Sequence, residues 1–187
     1  MGATAEPFAF QDGPEWEGWL AANHSAQSEA WLLIGKKNSG APLLAIEDAL
    51  DGALCFGWID GQRKGFDEKS FLQRYSKRSR RSSWSRVNVG KAEALIASGR
   101  MKPGGLAEIE AAKADGRWDA AYESQRSAEI PEDVTKAIAA NPAAVVAFEA
   151  MGRTARYALV LPLLKARTPE SRAKLLAGVV GKLARGA

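Results

Sequence analysis

The chain has one cysteine, Cys55, and one histidine, His24, among its 187 residues. A single cysteine excludes an intramolecular disulfide and a zinc site built on cysteines. A single histidine excludes His-rich metal centres and leaves a Ser-His-Asp arrangement one candidate base. No apolar run approaches the roughly 20 residues of a membrane span. The N-terminus, MGATAEPFAF, lacks the basic start and long apolar centre of a signal peptide. Glu6 stands where a myristoylation motif has Ser or Thr. The expectation is a reduced, cytoplasmic protein with no bound metal and no cofactor. Neither FGWIDG nor KPGG fits a phosphate loop, which ends in Lys-Ser or Lys-Thr. Helix-turn-helix, zinc-finger and RNP aromatic patterns are missing too, as are internal repeats and long linkers.

What is present is an ordinary globular balance, 46% apolar and 26% charged. A chain of this length buries a core without staples. The reading is one domain over 1–187, with a mixed part to about 100 and a helical part from about 101. Phe8 and Phe10 flank a short alternating run. Asp12 caps a helix near Pro14, with Trp16, Trp19 and Leu20 on one face. WLLIG centres a strand over 28–35, and residues 44–56 have a helical period. Residues 58–64 and 70–77 read as two strands with GFDEK as the turn. Helices follow from Ser85 to about Ser98 and from Pro103 to about Gly116. Pro131, Pro142 behind Asn141, and Pro169 behind Thr168 open helices in the last third. There Leu175, Leu176, Val179, Val180 and Leu183 form an apolar stripe. Strands that do not alternate with helices give an α+β class, with a small antiparallel sheet, a central hairpin and a helical C-terminal half.

The charge is uneven. Between Trp58 and Asn88, nine of 31 residues are Lys or Arg and three are acidic. Such a run is commonly a solvated face, but this one is interrupted by Phe71, Tyr75 and Trp84. Arginine grips phosphate or carboxylate with a two-pronged fork, rings stack on flat ligands, and a helix start at Ser85 offers N–H donors. A pocket lined by Asp60, Arg74, Arg78, Trp84, Ser85 and Asn88, taking a small anionic or planar ligand, is the leading expectation. Asp60 is expected to face Arg74 across the hairpin. Trp58 is expected in the core, with Trp84 walling the pocket and Arg80 and Arg81 solvated. An enzyme using Asp60 as base or Cys55 as nucleophile is the alternative, although Cys55 ends an apolar helix where a thiol is ordinarily inert. Nucleic acid held by Arg78, Arg80, Arg81 and Arg86, or a protein partner, are further readings. His24 reads as an exposed helix C-cap.

Several motifs resemble the YdeI/OmpD-associated, or bacteriocin-protection, family: SEAWLLIGKK, EDALDGALCFGWIDGQRKGFDEKSFLQRYSKR, SSWSRVN, GRMKPGG and GRWDAAY, then IPEDV, NPAAVVAFEAM and LLAGVVGKLARG. The resemblance runs from about Trp16 to the end. One departure is visible, since Ser76-Lys77-Arg78 lacks a proline that the family often has. The resemblance implies a role in resistance to bacteriocins, cationic peptides or envelope stress, and it implies no catalytic mechanism. Its motif positions Cys55, Trp58, Asp60, Gly61, Arg74, Arg78, Trp84, Ser85 and Asn88 fall within or beside the basic segment.

Overall fold

The computed structural model describes residues 6–124 and 128–185. Along the chain lie α1 (Gly13–Asn23), β1 (Glu29–Gly35), α2 (Ile46–Cys55), β2 (Trp58–Gly65), β3 (Ser70–Lys77), α3 (Arg86–Ala97) and α4 (Pro103–Ala114). Four further helices follow: α5 (Glu132–Ala139), α6 (Pro142–Glu149), α7 (Arg153–Leu164) and α8 (Pro169–Ala184). The α+β class with a small antiparallel sheet and a helical C-terminal half is what forms. The chain divides into two compact units, Met1–Trp84 with Asn88–Ala120, and Ser85–Val87 with Ala121–Ala187.

The first unit is built on a three-stranded antiparallel sheet of order β1-β3-β2, so the hairpin supplies the central and one edge strand. Alternation turns Ala30, Leu32 and Ile34 of β1 into the core, all buried, while Trp31 and Leu33 point the other way and stay half-exposed. Leu32 and Ile34 are fully buried, which stabilises the fold by about 1.5–3 kcal/mol each. Phe8 bridges Leu32 in parallel and covers part of the outer edge of β1.

The Asp12 carboxylate accepts from the Glu15 N–H and starts α1. That helix lays Trp16 and Leu20 into the core, and the Trp16 indole donates to the Ala49 carbonyl of α2 at 3.0 Å. The two helices approach so closely that a Cβ on Gly52 would stand 2.8 Å from Trp16 Cδ1. Trp58 and Tyr75 join the Trp16 and Trp19 rings in one aromatic cluster, so Trp58 is core as expected. His24 caps α1 and is half-buried.

In the second unit, Asn141 and Thr168 cap α6 and α8 with their side chains, each ahead of a proline in the first turn. Val134, Ile138, Ala144, Val160, Leu163, Val179 and Leu183 form its core, and Leu175, Leu176 and Val180 pack against it. The apolar stripe of α8 is thus the face that this unit buries.

Candidate functional site

The geometry of the basic segment is set by one buried amide. Asp60 pairs with Tyr75 and Arg63 with Gln73, so Gly61 and Gln62 together oppose Arg74 in a β-bulge. Gln73 is 1% exposed. Its Nε2 donates to the Gly61 carbonyl at 3.1 Å and the Gln62 carbonyl at 3.2 Å, and its Oε1 accepts from Arg63 Nε at 3.0 Å. Carbonyls that a regular ladder would have satisfied are met by this side chain instead.

The bulge overturns the expected pairing of Asp60 with Arg74. The hairpin turn also centres one residue later than the GFDEK reading places it, because Asp67 gathers the Lys69 and Ser70 N–H groups and the Ser70 hydroxyl. Gly65 therefore opposes Phe71, and beyond the bulge Asp60 opposes Tyr75. Neighbours on a strand point to opposite faces, so Asp60 shares the side of Tyr75 and Arg74 lies on the other.

On that open face Arg74 sits directly across from Trp31. Its Nη1 meets Glu29 Oε2 at 3.3 Å in a half-exposed ion pair. Its Nε is buried and has no hydrogen-bond partner. Gly61 packs beside it, since a Cβ there would stand 3.4 Å from Arg74 Nε. Lys64 reaches across with Nζ 4.6 Å from the centroid of the Trp31 ring. Ile59, Leu33 and Leu72, all half-buried, complete an amphipathic plate with cations at its margin.

Arg78 and Trp84 come together elsewhere, in the interior. The Arg78 guanidinium lies 3.6 Å from the Trp84 centroid, its Nη1 donates to the Ser83 carbonyl, and Arg78 and Trp84 are 5% and 2% exposed. Trp84 packs edge-on against Trp118 at 4.8 Å and so does not line an opening. Arg117, 3% exposed, completes the knot. Its Nε meets both Asp115 oxygens at 2.8 Å, and its Nη1 donates to the Ser79 and Ser82 carbonyls. Two buried arginines thereby fasten the connector 79–83 and leave Arg80 and Arg81 exposed. Sequence reasoning assigned Arg117 no role, although GRWDAAY was among the motifs that marked the family.

Ser85 bridges Tyr122 within the second unit. Asn88 is half-buried in the first turn of α3, in the first unit. Of the six expected site residues, then, Arg78 and Trp84 meet in the interior, and Asp60 and Arg74 occupy opposite faces of the sheet.

Two buried groups bear on chemistry. Burial, reinforced by Glu17, pushes the Cys55 thiol up to about 11, so it is protonated at neutral pH. Burial, with a contribution from Asp60, holds the Tyr75 hydroxyl far above the phenol range, and that hydroxyl has no hydrogen-bond partner. Among the described residues, no three His, Cys, Asp or Glu side chains cluster to hold a metal, and no helix is long and apolar enough to cross a membrane.

Residues 8–108 match a family described as Domain of unknown function (DUF8412). Residues 127–186 match the family described as Bacteriocin-protection, YdeI or OmpD-Associated. The family that the resemblance names is therefore found in the C-terminal part, whereas the motifs from SEAWLLIGKK to GRMKPGG fall within the first match. No curated protein and no solved structure matches the chain.

Proposed function

Because the chain belongs to the DUF8412 family, whose function is unknown, and ends in a bacteriocin-protection, YdeI or OmpD-associated segment, we propose its function from geometry: it binds a small planar anion on the open face of the sheet. Arg74 receives the phosphate or carboxylate, and Trp31 receives the flat ring. This binding serves, inside the cell, the protective role for which the C-terminal family is named.

The observation that carries the reading is the buried, unpartnered Nε of Arg74 beside Trp31. A buried donor left without a partner costs about 1–3 kcal/mol, and a ligand oxygen recovers it once the partly exposed Arg74 side chain turns its Nε outward. The Glu29 contact is no obstacle, because a half-exposed ion pair contributes only about 0–1 kcal/mol. Lys64 over Trp31 contributes about 0.5–1 kcal/mol at an exposed site, so a stacking ligand can displace it.

An enzyme working through Cys55 or Asp60 has less support, since the thiol is buried and protonated and Asp60 faces away from Arg74. A polyanion tract also has less support. The first unit, residues 1–84 and 88–120, carries fifteen basic and sixteen acidic side chains, so it has no cationic excess to release counterions. Calorimetric titration with AMP, adenosine and inorganic phosphate tests the proposal. AMP should bind at least tenfold more tightly than either fragment, Arg74→Gln should lose that binding, and Glu29→Gln should strengthen it. Unchanged binding in Arg74→Gln contradicts the proposal, as does an equal loss in an Arg80→Ala/Arg81→Ala double variant.

A further inference from the structure

We propose that the groove between α7 and α8 in the second unit docks an acidic amphipathic helix from a partner protein. The groove has a volume of about 630 Å³ and is bordered by Met151, Ala155, Ala158, Leu159, Pro162 and Leu175. Val179 and Leu183, members of the unit's core, are also part of its lining, so the groove is an opening onto the core itself. An apolar groove that lays open a helical core accepts the apolar face of one more helix.

Charge selects the occupant. The charged residues that line the groove are Lys174 and Lys182, both exposed, and no acidic side chain joins them. The two lysines stand eight positions apart on α8, a rise of about 12 Å. Carboxylates seven or eight residues apart on a partner helix span the same distance. A single-headed amphiphile would reach one lysine and leave the other unanswered. The second unit, residues 85–87 and 121–187, carries eleven basic and six acidic side chains, which gives it a field that attracts an acidic segment.

A second, independent observation is the glycine between the lysines. Gly178 stands four residues from each, on the same face of α8. Glycine is disfavoured inside a helix relative to alanine, yet a Cβ built on Gly178 meets nothing within 4 Å. The unit's own packing therefore does not require it. Together with Ala155 and Ala158 across the groove, it lowers the floor so that another helix can approach closely.

The test uses the full chain and a fluorescein-labelled synthetic peptide of sixteen residues, helical by design, with leucines on one face and two glutamates seven residues apart. Fluorescence anisotropy should show saturable binding. Gly178→Leu should weaken it at least tenfold while its unfolding midpoint stays at or above that of the wild type, which separates plugging from misfolding. A Lys174→Glu/Lys182→Glu double variant should lose binding to the same extent, and a peptide with lysines in place of the glutamates should restore it on that variant. Absence of saturable binding overturns the proposal, as does wild-type binding by Gly178→Leu. Saturable binding of dodecanoate where the peptide fails assigns the groove to an amphiphile. A dimer seen by sedimentation and broken by Gly178→Leu, again without peptide binding, assigns it to a second copy of this chain.

Discussion

The guanidinium of Arg78 lies 3.6 Å from the centroid of the Trp84 ring, with both side chains closed off from solvent. A stacked, buried pair of this kind holds the connector 79–83 in place and is not free to take a ligand. Trp84→Ala should cost about 3–5 kcal/mol, the usual loss for a large buried aromatic. It should leave AMP affinity unchanged in the fraction that remains folded. Denaturant unfolding followed by titration below the transition measures both. A tenfold loss of affinity with little loss of stability would make Trp84 a ligand platform after all.

Gln73 should matter more than an ordinary strand residue. Gln73→Leu keeps the bulk but leaves the Gly61 and Gln62 carbonyls without their donor, a loss of about 1–3 kcal/mol. The bulge should loosen, and amide hydrogen exchange should accelerate across 59–65 more than across β1. Uniform acceleration over the whole sheet would mean that Gln73 supports the fold globally without setting the register.

Cys55 should react slowly with thiol reagents at neutral pH and faster as pH approaches 11, following the thiolate. The folded thiol ionises above the unfolded one, so its contribution to stability is complete below the ordinary thiol range and is lost as pH climbs through that range toward 11. Cys55→Ala should flatten that alkaline slope and leave AMP binding intact. Fast labelling at pH 7 would contradict the buried, protonated thiol.

The second unit should show an acid-side dependence of its own. Arg172 hydrogen-bonds both Asp133 oxygens, at 2.7 and 2.8 Å, and holds that carboxyl below the usual carboxylate range. Its contribution is present above that range and is lost as pH falls through the lowered value. The pair is partly exposed, so the effect should be about 1 kcal/mol or less. Asp133→Asn should abolish that part of the acid dependence, as read from denaturant midpoints between pH 2 and pH 6.

Helix starts were readable because their caps are local. Asp12, Asn141 and Thr168 each accept a backbone N–H three residues ahead, and prolines mark the first turns of the same helices. By contrast α7 follows Gly152, an N-cap position with no side chain to cap with, and carries Pro162 inside it, so nothing local marks it as a separate helix. The hairpin was readable as a hairpin but its register was not. The bulge depends on where Gln73 finds carbonyls across the sheet, and the turn centre depends on Asp67 gathering donors. The site was readable only in part for the same reason. Charge and aromatic content drew attention to Arg74, Arg78 and Trp84 alike. The knot that buries Arg78 and Trp84 depends on Arg117 and Trp118, which lie more than thirty residues further along the chain. Trp31, which faces Arg74, lies far earlier.

The most direct test of ligand binding on the open sheet face is a set of ¹H–¹⁵N spectra recorded during titration with AMP. The six indole N–H signals and the arginine Nε–H signals are assigned by substitution. The account predicts that the Trp31 indole and the Arg74 Nε–H shift together and saturate at one concentration, with backbone changes confined to residues 59–64 and 29–33. The Trp84 and Trp118 indoles should stay fixed. Shifts centred on Trp84, Arg78 and Asn88, with Trp31 and Arg74 unmoved, would contradict it.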